Sequence, residues 1–206
     1  MTSTSITGGI VLCGGQSRRL GQSKPALRFG EESMLGRVVR LVAEAVDPVV
    51  VAASPNQPLP PLPESVRVVY DRRPDCGPLG GLAAALAALD GRADRVFVTA
   101  GDRPLLKPLL IRRLVELADA SEAEAVVPHL GSFAQPLAAI YRCSVLRHVE
   151  VLLDEAESRL ADLLDRVTLQ RVPPEQLKPA DPRLDSFTDV GSPMDYRRAL
   201  AKAGML

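Results

Sequence analysis

Four short apolar runs, continuous rather than alternating, constrain this chain more than any other feature. Ile10 to Leu12, Pro48 to Ala53, Val66 to Tyr70 and Arg95 to Ala100 read as strands buried on both faces. Helical spacing fills the gaps between them. Ser33 to Val46 places Leu35, Val38, Val39, Val42 and Val46 on one face, and Pro78 to Leu89 is an Ala/Leu helix with a proline in its first turn. Strand–helix alternation with doubly buried strands predicts an α/β fold with a mostly parallel central sheet covered by helices on both sides.

The second half is less regular. Helices are expected from about Pro108 to Ala118, over Ser144–Leu153 and Ser158–Leu164, and from Pro193 to Ala203. Strands are expected at Ala125–Pro128, Leu137–Tyr141 and Val167–Val172. In parallel sheets ligands bind outside the carboxyl ends of the strands. The loops Cys13–Lys24, Asp71–Gly77 and Gly101–Pro104 all leave strand ends, so they should converge on one rim. The proline-dense stretch Ser54–Pro63 reads as a stiff surface loop, with a docking segment for a proline-reading domain as the alternative. Neither a repeat nor a linker is visible, so residues 1–206 are expected to form one domain.

Composition removes several function classes. Basic and acidic residues number 25 each, so no excess charge is available for coating nucleic acid. Aromatics are 3% and Trp is absent, which argues against base-stacking platforms and an immunoglobulin-like sandwich. Cys13, Cys76 and Cys143 are odd in number and far apart, and His129 and His148 are isolated, so no disulfide scaffold or zinc site is indicated. The N-terminal residues carry no secretory pattern, and no apolar stretch approaches the roughly 20 residues of a membrane span. A soluble, cytoplasmic protein without nucleic-acid or membrane partners is expected.

The loop after the first strand carries the strongest chemical signal: Leu12-Cys13-Gly14-Gly15-Gln16-Ser17-Arg18-Arg19-Leu20-Gly21-Gln22-Ser23-Lys24. Paired glycines let backbone amides approach an anion, and Arg18, Arg19 and Lys24 add positive charge. This suits a polyphosphate; a flexible surface loop would also satisfy the pattern. The spacing fits neither a Walker loop nor the dinucleotide fingerprint.

In order and spacing, that loop resembles the signature of molybdenum cofactor guanylyltransferases, the MobA-like nucleotidyltransferases. Further segments agree in order along the chain. They are Asp71 with Gly77-Pro78-Leu79-Gly80-Gly81, then Ala100-Gly101-Asp102-Arg103-Pro104, then Gln135-Pro136-Leu137, then Phe187-Thr188-Asp189-Val190-Gly191-Ser192-Pro193. The resemblance spans nearly the whole chain. It implies a three-layer Rossmann-like nucleotidyltransferase fold, with a nucleotide-binding half at about 8–105 and an acceptor-binding half at about 106–206. It also implies transfer of GMP from GTP to the terminal phosphate of molybdopterin, with release of pyrophosphate and dependence on Mg²⁺. Cofactor-delivery proteins would be natural partners.

Carried over residue by residue, the resemblance assigns Asp102 to the metal, with Asp189 as a second ligand or an aid to the acceptor phosphate. It assigns Arg19 and Lys24 to the triphosphate, while Arg18 points to solvent. Leu12, Cys13, Gly14 and Gly15 should line the nucleotide, Asp71, Gly77 and Gly80 its base or sugar, and Gln135 a substrate. Cys13 is expected to be a lining residue and not a nucleophile, since no activating base adjoins it. The pattern departs at three places. Gly80 replaces an alanine, Ser54 stands where an asparagine is frequent, and Gly191 stands where Asn or Asp is usual. Competing readings are a relative that uses CTP or another phosphorylated acceptor, and a nucleotide-binding module without catalysis.

Overall fold

The structure is a computed structural model that describes residues 5–14, 24–71, 73, 76–157 and 159–206. Its centre is one sheet. Strand β1 (Thr7–Leu12) is followed by a two-strand hairpin, β2 (Arg28–Phe29) and β3 (Glu32–Ser33), then helix α1 (Met34–Ala43), β4 (Val49–Ala53), β5 (Arg67–Tyr70), α2 (Gly77–Ala88), β6 (Arg95–Ala100) and α3 (Pro108–Asp119). The second half contributes β7 (Ala125–Leu130), β8 (Phe133–Ala134), β9 (Ala138–Arg142), α4 (Leu146–Asp154), α5 (Leu160–Leu164), β10 (Leu169–Val172), α6 (Pro174–Leu177) and α7 (Pro193–Lys202).

Strand order across the sheet is β10-β7-β9-β6-β1-β4-β5, with β8 paired to β7. Strands β1, β4, β5 and β6 are mutually parallel, as expected from their continuous apolar runs. The order reverses at β1/β6. From β1 the chain steps outward to β4 and β5, then returns to the opposite side of β1. Strand β9 lies antiparallel between β6 and β7. It follows β7 through a short connection, and only an antiparallel partner can be reached without a crossover helix.

Burial alternates along the strands and feeds two cores. Ile10, Leu12, Val50, Ala52, Val96 and Val98 pack against α2, α4 and α5. Val11, Cys13, Val49, Val51 and Phe97 pack against α1, α3 and Leu177 of α6. The result is a three-layer α/β arrangement. A smaller cluster, Phe29, Met34, Val190 and Ala199, joins the β2–β3 hairpin to α7.

Helix α1 begins at the expected place because the Ser33 side chain accepts from the Gly36 amide. It ends at Ala43, earlier than Val46, because Asp47 precedes Pro48 and the chain must turn into β4. In the second half α4 starts at Leu146, after a 3-10 turn at Cys143–Val145, and α5 is shorter than its expected span. The hairpin β2–β3, strand β8 and helix α6 were not expected. Two-residue strands and a single helical turn carry no readable periodicity. The proline-dense stretch connects β4 to β5 and tucks Leu59 and Leu62 partly against the α1-side core. No helix among the described residues is long and apolar enough to cross a membrane.

Candidate active site

Parallel strands put their carboxyl ends on one edge, so the three predicted loops share a rim. Their described ends each bond the neighbouring strand. The Gly101 amide donates to the Leu12 carbonyl at 2.9 Å, and the Cys13 amide to Ala52 at 2.7 Å. The Asp71 amide donates to Ala53 at 3.1 Å. Strands β1 and β6, where the sheet order reverses, form the crevice in which α/β sheets hold ligands.

Two predicted residues meet in that crevice. Lys24 opens a 3-10 turn, Lys24–Ala26, and its Nζ donates to Asp102 Oδ2 at 2.9 Å. Each side chain is 23% exposed, open to a ligand yet partly shielded from water. Leu12 and Cys13 are buried beside them. Gly14 follows, and a Cβ there would lie 3.3 Å from Ser54 Oγ. Gly15 and Arg19 lie outside the described residues, as does Arg18.

The Cys13 thiol receives a weak contact from Gln57 Nε2 at 3.7 Å. Burial, with help from the nearby Asp102 charge, pushes its pKa up to about 12, so the thiolate is scarce at neutral pH. That agrees with a lining role. Gln57 reaches the rim from the proline-dense loop, where its sequence setting offered no sign of a contact.

A second group lies across β4. Asp71 follows β5, two strand spacings from β1, or roughly 10 Å. Its Oδ1 accepts from the Arg73 amide at 2.9 Å, and its carboxylate lies flat on the first turn of α2. A Cβ at Gly80 would come within 2.2 Å of Asp71 Oδ2, so the carboxylate occupies space that only glycine leaves. Gly77 begins the helix at φ 56°, a left-handed value that favours glycine.

The remaining predicted residues, Gln135 and Asp189, meet at Arg103, the residue after Asp102. The Val190 amide donates to the Asp102 carbonyl at 2.9 Å, which sets Asp189 beside it. Asp189 Oδ1 accepts from Arg103 Nε at 2.6 Å, and Gln135 Oε1 accepts from Arg103 Nη2 at 3.4 Å. Arg103 was not singled out from the sequence; an arginine between aspartate and proline in a loop reads as solvated.

Behind this group, the 181–188 segment is held by buried charge. Asp181 is fully buried, 2.6 Å from Lys107 Nζ, and its Oδ2 accepts from the Ser186 amide. Burial alone would raise the Asp181 pKa, but Lys107 and the Ser186 donors outweigh it and hold the carboxyl below its usual range. Asp185 is likewise held low, against burial, by Lys202 and Arg183.

The donor set suits a divalent cation shared with a ligand. Mg²⁺ prefers one or two carboxylates plus phosphate oxygens to an all-protein cage. Asp102 offers a carboxylate beside Lys24, and the Asp189 carboxylate is turned to Arg103, the next residue along. Among the described residues no group of three or more His, Cys, Asp or Glu converges.

A family profile described as MobA-like NTP transferase domain matches residues 9–172. The chain is 36% identical over 175 residues to a protein of Mycobacterium avium (strain 104) named probable molybdenum cofactor guanylyltransferase, covering 84% of this chain and 87% of that one. A protein of the same name from Mycobacterium tuberculosis (strain ATCC 25177 / H37Ra) is 34% identical over 193 residues, covering 92% and 94%. Molybdopterin-guanine dinucleotide biosynthesis protein A from Archaeoglobus fulgidus superposes with a TM-score of 0.81 at 22% identity, over 97% of this chain and 100% of that one. The structural likeness speaks to the fold.

Proposed function

The chain belongs to the MobA-like NTP transferase family, and from that premise we propose that this nucleotidyltransferase transfers GMP from GTP to the terminal phosphate of molybdopterin. The observation that carries this reading is the Lys24–Asp102 pair, an ammonium and a carboxylate 2.9 Å apart where the sheet order reverses. The names of the relatives supply the substrates.

In the transfer, an oxygen of the acceptor phosphate forms a bond to the α-phosphorus of GTP. The bond from that phosphorus to the β-phosphate oxygen breaks, and pyrophosphate leaves with the electron pair. Attacker and target are both anions, so the protein's work is positioning and neutralisation. Bound Mg²⁺ would supply charge neutralisation at the triphosphate, and Asp102 would hold it, while Asp189 would aid the acceptor phosphate. Lys24 presents its ammonium to phosphate oxygens, a role shared with Arg19. The backbone of Leu12 to Gly15 lines the nucleotide.

Asp71 carries base selection in this reading. The Watson–Crick edge of guanine offers two adjacent donors, the ring N–H and the exocyclic amine, and a carboxylate accepts both. Cytosine presents a lone-pair nitrogen there and would be repelled. Residues 8–105 thus bind the nucleotide, while 106–206, with Gln135 and Asp189, serve the acceptor. In this reading the protein works in the cytoplasm, and its product would pass to cofactor-delivery proteins.

A thermal-shift panel of GTP, CTP, ATP and UTP with Mg²⁺ tests the proposal. Binding to the native state alone stabilises by about 2.7 kcal/mol at a hundredfold excess over Kd. Stabilisation by GTP only is expected. A preference for CTP would overturn the guanylyl assignment, and no shift with any nucleotide would overturn the nucleotide site itself.

A further inference from the structure

Arg103 is a charged residue that the reaction as described leaves without a task. It follows Asp102 directly, yet it is only 4% exposed. Nε donates to Asp189 at 2.6 Å and Nη2 to Gln135 at 3.4 Å. Nη1 is buried with no hydrogen-bond partner among the described residues. Asp189, by contrast, is 57% exposed on its side chain. A guanidinium buried with both Nη1 donors unpaired is not placed there for stability, because an apolar side chain of similar volume would avoid the desolvation cost.

We propose that Arg103 is the positioning residue of the acceptor site, holding Asp189 and Gln135 as one unit beside Asp102 and cancelling the Asp189 charge where an anionic acceptor must arrive. This rests on the acceptor half as assigned above. A guanidinium only donates, so the Gln135 amide must turn its oxygen inward and its NH₂ group away from Arg103. Asp189 likewise spends Oδ1 on Arg103 and keeps one oxygen for other work. Two adaptable side chains thereby become a fixed donor and a fixed acceptor. Their register to Asp102 is set by the Val190 amide, which holds the Asp102 carbonyl. Two carboxylates stand at this end of the rim. Lys24 offsets one, and Arg103 offsets the other. The planar fork serves two partners in different directions, which a single lysine ammonium cannot do from the same position.

The test uses Arg103→Met, Arg103→Lys and Asp189→Asn in the full-length protein, with two readouts. Steady-state pyrophosphate release, with GTP and molybdopterin varied separately, gives a KM for each. Arg103→Met should raise the acceptor KM by roughly 10- to 100-fold, the scale of losing a hydrogen bond to a charged group. The KM for GTP should stay within about twofold. Arg103→Lys should recover only part of the loss, and adding Asp189→Asn to Arg103→Met should cost little more, because the two act as a unit. Equal rises in both KM values, or additive losses, would overturn the proposal.

The second readout needs no acceptor. Amide hydrogen exchange in Arg103→Met should speed up by about tenfold or more in peptides covering 132–137 and 187–191, while β1 and α2 stay protected. Unchanged exchange there would overturn the positioning role. If the wild-type protein transfers no GMP to molybdopterin, the function assigned above fails, and the exchange result still decides whether Arg103 holds the two side chains.

Discussion

Gly80→Ala separates function from stability more cleanly than any other single change at this site. The added Cβ would lie 2.2 Å from Asp71 Oδ2 and 2.6 Å from both Cγ and Oδ1. Ordinary contact begins near 3.4 Å, so the carboxylate must retreat by about 1.2 Å. Moving it breaks the hydrogen bond from the Arg73 amide, now 2.9 Å, at a cost of about 0.5–1.5 kcal/mol. Alanine in place of glycine inside a helix returns about 0.8–1 kcal/mol. The two nearly cancel, and the melting temperature should change by less than about 4 °C.

Nucleotide recognition has no such compensation. If the Asp71 carboxylate reads the base, displacing it by about 1 Å loses a charge-assisted hydrogen bond and should raise the KM for GTP by roughly 10- to 100-fold. The acceptor KM should hold, because Asp71 sits on the opposite side of the Lys24–Asp102 pair from Gln135 and Asp189. The assay is pyrophosphate release with GTP varied at saturating molybdopterin, alongside equilibrium GTP binding without acceptor. Wild-type GTP affinity in Gly80→Ala, with the melting temperature unchanged, would refute the reasoning, since it would show that nothing reads the carboxylate at its present position.

Other changes test other parts of the rim. Asp102→Asn keeps the shape but removes the charge; turnover should fall by about 10²- to 10³-fold, while the partly exposed pair with Lys24 contributes at most about 1 kcal/mol to stability. Near-normal turnover would dismiss Asp102 as the metal-holding group. Cys13→Ser should leave transfer within about threefold, and native Cys13 should resist iodoacetamide at pH 8, since its thiol titrates at about 12; loss of turnover by orders of magnitude would make the sulfur a participant. Asp181 and Asp185 titrate lower in the folded chain than the usual unfolded value of about 3.9, so their contribution is complete above that value and is lost as pH falls through the depressed values. Lys107→Met strands the buried Asp181 carboxylate; it should cost about 3–5 kcal/mol and move acid unfolding to higher pH, and an unmoved midpoint in a pH titration of circular dichroism would contradict the role given to Lys107.

The inner parallel strands were legible because burial on both faces keeps their runs apolar; β5, expected to be buried on both faces too, is an edge strand whose Arg67 and Tyr70 are exposed. Val49-Val50-Val51 cannot be mistaken for a half-exposed strand. The direction of β9 was not legible, because its burial matches that of its neighbours and only the connection length fixes its sense. Lys24 and Asp102 could be paired in advance, since each ends a segment that a parallel sheet delivers to the same edge. The contact between Asp71 and Gly80 could not. Its geometry depends on how the 71–77 connection folds back on α2, and the sequence shows only a glycine where an alanine was expected. Arg103 was hidden for a different reason. Burial of a charged side chain is decided by what three separate segments bring around it, and local pattern carries no record of that.

The same geometry bears on Gly191, the departure that left the acceptor end open. Its φ is not left-handed, and a Cβ there would meet only Asp195 Oδ2, at 3.6 Å, which is ordinary contact. Neither the backbone nor the packing requires glycine at this position. The fold therefore did not exclude a polar side chain at 191, and its absence is a matter of what the rim must offer and not of how it folds. The polar groups that the structure does gather there are Asp189 and Gln135, held by a buried arginine at the residue next to Asp102. An acceptor end organised through Arg103 has its donor and its acceptor already in place, and a side chain at Gly191 would duplicate them.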